Sequence, residues 1–116
     1  MAGAVLCVCD DCNFWYESGP TTDVLFQNNE VIGCGYGYER GHTSPIISVE
    51  PQVIDGTSTG FVHGKITVIN NDFSLLPEGG ALADVKWTKC FVFENNRCDK
   101  QPIIYTHCVG EIVEKI

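Results

Sequence analysis

The sequence lacks any apolar run near the roughly 20 residues that a membrane-spanning helix needs. It also lacks a base before Arg40: the first 39 residues carry six acids and no lysine or arginine, and the rest carries seven bases and nine acids. No basic stripe interleaved with aromatics runs along it, which disfavours nucleic-acid binding. An anionic membrane surface is disfavoured for the same reason. No segment repeats its apolar residues at the 3.6 spacing of a long helix. Asn-x-Ser/Thr is absent, although six of the seven asparagines stand in turn-like places. The opening MAGAVLCVCDD has no basic residue and only a short apolar run, Ala4 to Cys9, so a signal peptide is not expected. These absences lean towards a reducing, cytoplasmic setting, with a secreted mature form as the alternative.

A chain of 116 residues reads as one domain and is long enough to bury a core. Hydrophobic content of 44% against 19% charged argues for a folded chain rather than a disordered one. Short apolar runs recur: VIGCGYGY, PIISVEPQVI, FVHGKITVI, KWTKCFVF and PIIYTHCVGEIV. Turn-forming pieces separate them, among them SGPTTD, QNNE, DGTSTG, NND, PEGG and ENNRCDKQ. This pattern predicts an all-β single domain, residues 1–116, of many short strands and Gly-rich turns, cone-like or a sandwich or barrel. In FVHGKITVI, alternation puts Val62, Gly64, Ile66 and Val68 on the core face and turns His63 and Lys65 outward. GEIVEKI at the end alternates weakly as a strand. EGGALADVKW holds one helical turn at most.

Seven cysteines is an odd number, so disulfides within one chain cannot pair them all. Cys7, Cys9 and Cys12 crowd into LCVCDDC, with Cys9 and Cys12 at C-x-x-C spacing. Such thiolates suit tetrahedral zinc, and Cys34, His42, His107 or Cys108 would complete the ligand set. Asp10 and Asp11 oppose thiolate formation, and no second C-x-x-C follows. Burial of Cys7 and Cys9 in a strand, or disulfide pairing, explains the same residues. A redox role for C-x-x-C needs a strand-to-helix context that the sequence does not offer. Catalysis has no support: GTSTG reads as a turn, and Asp10-Asp11 would splay on a strand. The chain is therefore expected not to be an enzyme. Phe14 to Tyr16, with Tyr36 and Tyr38, would suit a sugar-stacking platform, although core packing explains them too.

IDGTSTGFVHGKITVINND, Ile54 to Asp72, resembles the repeated unit of PAAR-type proteins, through Gly56, Thr57, Thr59, Phe61, Val62, Gly64, Lys65 and Asp72. AVLCVCDDCNF and the closing CVGEIVEKI resemble the ends of a PAAR-like branch, while ITVI stands where Pro-Ala-Ala-Arg would be. The resemblance implies a small cone of short strands capping the homotrimeric spike of a contractile injection system. It implies a protein partner, delivery from the cytoplasm and a zinc ion held by three histidines and a cysteine. The alternative is a disulfide-containing β-sandwich that binds a glycan or a protein.

Overall fold

The computed structural model describes residues 4–8, 22–35, 44–49, 63–98 and 102–115, without the side chains of His107 and Cys108. Eight strands follow in order: β1 (Leu6–Val8), β2 (Asp23–Gln27), β3 (Glu30–Ile32), β4 (Ile47–Val49), β5 (His63–Ile69), β6 (Asp72–Ser74), β7 (Ala83–Glu94) and β8 (Ile103–Lys115). The described residues contain no helix, and the expected all-β fold class is borne out.

Every strand pairing is parallel. Val24, Ile66, Phe91 and Ile112 stand in one column of partners, so successive turns of the chain advance 42, 25 and 21 residues. Leu6, Ile47, Ala83 and Ile103 form a second column. The chain therefore coils through four stacked rungs. In the first rung β1, β2 and β3 are separate. In the second they correspond to β4, β5 and β6. In the third, β7 runs through both of the first two positions, and β8 does so in the fourth. Short turns cannot join parallel neighbours, so each rung must carry the chain all the way round before it meets its partner.

The core lies inside the coil. Ile47, Val49, Ile66, Val68, Ala83, Val85 and Phe91 are wholly shielded from solvent. Burying each of these Val, Ile or Phe side chains stabilises by about 1.5–3 kcal/mol. Large and small side chains alternate along the columns. Phe26, Val68 and Phe93 stack at one position, while Val31 and Phe73 stack at the next. Each small residue leaves room for a ring from the other column. Phe73 accordingly lies between Phe26 and Phe93, with ring centroids 6.4 Å and 6.2 Å away and planes near parallel. Close packing of this kind leaves little room for substitution by larger groups.

Alternation placed Ile66 and Val68 inward and Lys65 outward as the sequence predicts, but not His63. His63 is 1% exposed, so its expected outward position is corrected. The reason is a slip in the pleat. Inward residues are three apart here in two successive rungs, His63 and Ile66 in β5, Thr88 and Phe91 in β7. The chain turns a corner between them. Gly64 stands at that corner, and a Cβ there would collide with the carbonyl oxygen of Thr22. A neighbouring irregularity lies between Lys86 and Thr88, where the single residue Trp87, at φ 46°, faces the two-residue backbone of 107–108 in β8.

The fourth rung ends the described stack. Glu114 occupies the column of Phe26, Val68 and Phe93, a carboxylate where the upper rungs carry apolar groups. Tyr105, edge-on to Phe91 at 5.9 Å, donates its hydroxyl to Glu114 Oε1 at 2.7 Å. Burial, then the hydrogen bond and charge of Glu114, push the Tyr105 phenol far above its ordinary range. The fold thus favours the neutral phenol. Its contribution is fully present below about pH 10, where the unfolded chain also keeps the proton, and falls as pH rises beyond that. Urea unfolding across the alkaline range should show stability declining above about pH 10, with a shallower decline in Tyr105→Phe. Equal slopes in the two proteins would show that Tyr105 does not carry the effect.

Candidate functional site at the asparagine corner

Three asparagine doublets, Asn28-Asn29, Asn70-Asn71 and Asn95-Asn96, follow the second strand position of the first three rungs. The first member of each is left-handed, at φ 60°, 58° and 52°. Asparagine tolerates that conformation better than other side-chain-bearing residues, which explains its choice here. The turn leads each rung from its second strand position to its third.

The second members stack inward. Asn71 Oδ1 accepts from Asn29 backbone N–H at 2.9 Å, and Asn96 Oδ1 accepts from Asn71 N–H at 2.9 Å. Asn71 Nδ2 donates to the Phe26 carbonyl at 2.9 Å, and Asn96 Nδ2 to the Val68 carbonyl at 2.9 Å. Side chains also bond directly, Asn29 Nδ2 to Asn71 Oδ1 and Asn71 Nδ2 to Asn96 Oδ1, each at 3.0 Å. Asn71 and Asn96 are buried, so every one of these bonds satisfies a polar group that water reaches poorly.

The first members face solvent. Asn95 Nδ2 donates to Asn70 Oδ1 at 2.6 Å, while all three residues are exposed. Beside them, Glu30, Asp72 and Arg97 form the next column. Arg97 approaches Asp72 Oδ2 at 3.9 Å, a surface pair of small energetic weight. Asp72 Oδ1 is buried and accepts no hydrogen bond. These two columns, with Asn29 and Asn71, line an open groove of about 370 Å³ whose lining residues are all polar or charged.

The sequence-derived metal set does not gather at this groove or anywhere else among the described residues. Cys7 is exposed on β1, because Leu6 and Val8 turn inward against the Ile47 and Val49 rung and leave Cys7 beside Ser48. Its expected burial is thereby corrected. Cys34 lies just after β3, half-buried, with its thiol donating weakly to the Ile32 carbonyl at 3.6 Å. The backbone of His107 and Cys108 runs in the fourth rung, about three strand spacings or roughly 14 Å from the first. Zinc ligands must lie within about 2.3 Å of the ion. Cys9, Cys12 and His42 lie outside the described residues, as do Phe14 to Tyr16, Tyr36, Tyr38 and the stretch from Gly56 to Val62.

Among the described residues no group of three His, Cys, Asp or Glu side chains is placed to hold a metal ion. Cys7, Cys34 and Cys90 are free thiols, not disulfides. The expectation of a zinc-binding spike tip is corrected on these grounds. So is the disulfide-stapled alternative, as far as these three cysteines carry it. No described helix is long and apolar enough to cross a membrane. The groove itself escaped the sequence reading. QNNE, NND and ENNRCDKQ were legible as turns, but their shared doublet is the signal that they stack.

No family model and no solved structure matches the chain. Curated relatives do. Alpha-1,3-galactosidase A of Bacteroides fragilis is 35% identical over 86 residues, 74% of this chain. Alpha-1,3-galactosidase A of Peterkaempfera griseoplana is 28% identical over 102 residues, 88% of the chain. Alpha-1,3-galactosidase B of Parabacteroides distasonis is 29% identical over 96 residues, 82% of the chain. The matched region is 14%, 13% and 15% of those proteins, so the chain spans only a small part of their length. Their names point towards enzymes and pull against the non-enzymatic expectation.

Two outcomes test this description. Replacing Asn71 by Ala orphans the Asn29 N–H and the Phe26 carbonyl, each costing about 1–3 kcal/mol when buried without a partner. Urea denaturation should therefore show a loss of roughly 2–4 kcal/mol, and a loss below about 1 kcal/mol would deny the ladder its structural role. A thiol reagent applied to the native protein should label Cys7 ahead of Cys34, Cys90 and Cys98, read by peptide mass mapping. Earlier labelling of Cys90 would contradict the outward placement of Cys7.

Proposed function

We propose that the chain forms a rung segment of a glycosidase acting on α-linked galactosides, and that it supplies scaffold and sugar-contacting surface. One observation carries this reading: alpha-1,3-galactosidases of several bacteria align over 74–88% of the chain. The architecture is compatible with it. Stacked parallel rungs hold outward side chains on a rigid frame, at a regular spacing of about 4.8 Å. A rigid frame suits a site whose groups must meet a sugar in fixed positions.

Glycoside hydrolysis generally uses two carboxyl groups flanking the scissile bond. Glu30 and Asp72 stand on successive rungs of one column, and Asp72 is engaged by Arg97. We assign these residues to substrate contact and leave the catalytic pair outside the described residues. Saturation-transfer NMR checks the reading directly. The chain should transfer magnetisation to an α-1,3-linked digalactoside and not to an α-1,4-linked diglucoside. Transfer to both alike, or to neither, would overturn it.

A further inference from the structure

The structure points to the outer asparagine ladder as a subsite for galactoside hydroxyl groups; this rests on the galactosidase reading above. The buried amides of the inner ladder are committed to the fold. Asn71 uses its Oδ1 and its Nδ2 on neighbouring rungs and backbone, and Asn96 accepts twice at Oδ1 and donates to the Val68 carbonyl. The outer ladder differs. Asn28, Asn70 and Asn95 are fixed outward by their left-handed backbones, and the bond from Asn95 to Asn70 engages only one group of each. Each amide presents donors and an acceptor side by side. A sugar hydroxyl is both donor and acceptor, so adjacent hydroxyls match such a row.

The second column supplies what the amides do not. Asp72 lines the groove and is part-exposed, with Oδ2 only loosely engaged by Arg97 at 3.9 Å, so that oxygen keeps acceptor capacity. Arg97 is largely solvent-exposed, in a loose ion pair 3.9 Å long, and its fork offers several N–H donors. Carboxylate and guanidinium together can bridge neighbouring hydroxyls by accepting from one and donating to the other.

Other ligand classes fit less well. A divalent cation prefers several carboxylate or carbonyl oxygens. Here the column runs Glu30, Asp72, Arg97, which puts a positive charge beside the acids. A hydrophobic peptide finds no apolar side chain in the lining. The lining also lacks an aromatic ring, so hydrogen bonds alone must carry affinity, which sets it near the millimolar range, about −4 kcal/mol.

The test uses the whole chain, an α-1,3-linked digalactoside and NMR. Titration should shift the side-chain amide resonances of Asn70 and Asn95. The double variant Asn70→Gly/Asn95→Gly keeps residues that accept positive φ and removes both amides. It should bind the digalactoside about tenfold more weakly, with melting temperature retained. Unchanged affinity in that variant, with the wild type binding, would overturn this subsite and leave the galactosidase reading standing. Absence of digalactoside binding by the wild type would overturn both. Calcium chloride shifting the same resonances while the sugar leaves them unmoved would overturn the subsite in favour of a cation. If the variant fails to fold, the wild-type resonance map decides alone: sugar-induced shifts confined to other residues refute the proposal.

Discussion

Stacking of the buried amides of Asn71 and Asn96 is the constraint on which the rest of the structure depends. A parallel coil places like positions above one another, so whatever one rung buries at a corner, the next must also accommodate. An asparagine solves this because it accepts from an N–H of the preceding rung and donates to a carbonyl of that same rung, as Asn71 does with Asn29 and Phe26 and Asn96 does with Asn71 and Val68. The corner would otherwise leave backbone groups buried without partners, which folded proteins avoid. The left-handed residue before it follows from the same turn. So does the register of the strands on either side, because a slip by one residue would carry the amide away from its partners and reverse the pleat.

Packing beside the corner obeys the same logic. Rings from two different columns interleave, with Phe73 between Phe26 and Phe93, and each rung offers one large and one smaller side chain there. Two large groups in the same rung would overfill the coil. Two small ones would leave a void, whose cost rises with its volume. The fourth rung departs from this pattern, since Glu114 takes the ring position and binds Tyr105 instead.

Much of the local structure was legible in the sequence, and the long-range structure was not. Ile66 and Val68 were legible as core because a strand alternates regardless of its partner. His63 was not, because the slip between His63 and Ile66 comes from a corner shared with Thr88 in the next rung. Turns such as QNNE and NND were legible, but a turn that closes a hairpin and one that continues a coil use the same residue types. The repeat stayed hidden because its advance shrinks from 42 to 25 to 21 residues. Only the conformationally demanding doublet recurs. LCVCDDC drew attention as a cluster of thiols, yet the one member described, Cys7, faces outward because its neighbours Leu6 and Val8 are needed inside.

A coil of rungs divides its asparagines into two functional kinds. The buried amides of Asn71 and Asn96 are obliged to satisfy the backbone, so no ligand can claim them without breaking the fold. The outer row is placed by that obligation but does little structural work itself. Such a surface is preorganised: its side chains stand at a spacing fixed by strand pairing, and a ligand need not order them from scratch. Preorganisation reduces the entropy lost on binding, which matters most for a ligand that offers only hydroxyl groups and little apolar area. On the proposed reading, this is how a polar groove too feeble on a mobile loop holds a sugar when it is built on stacked strands. Relatives named alpha-1,3-galactosidases, which match 74% and 88% of this chain, give the proposal its chemical direction.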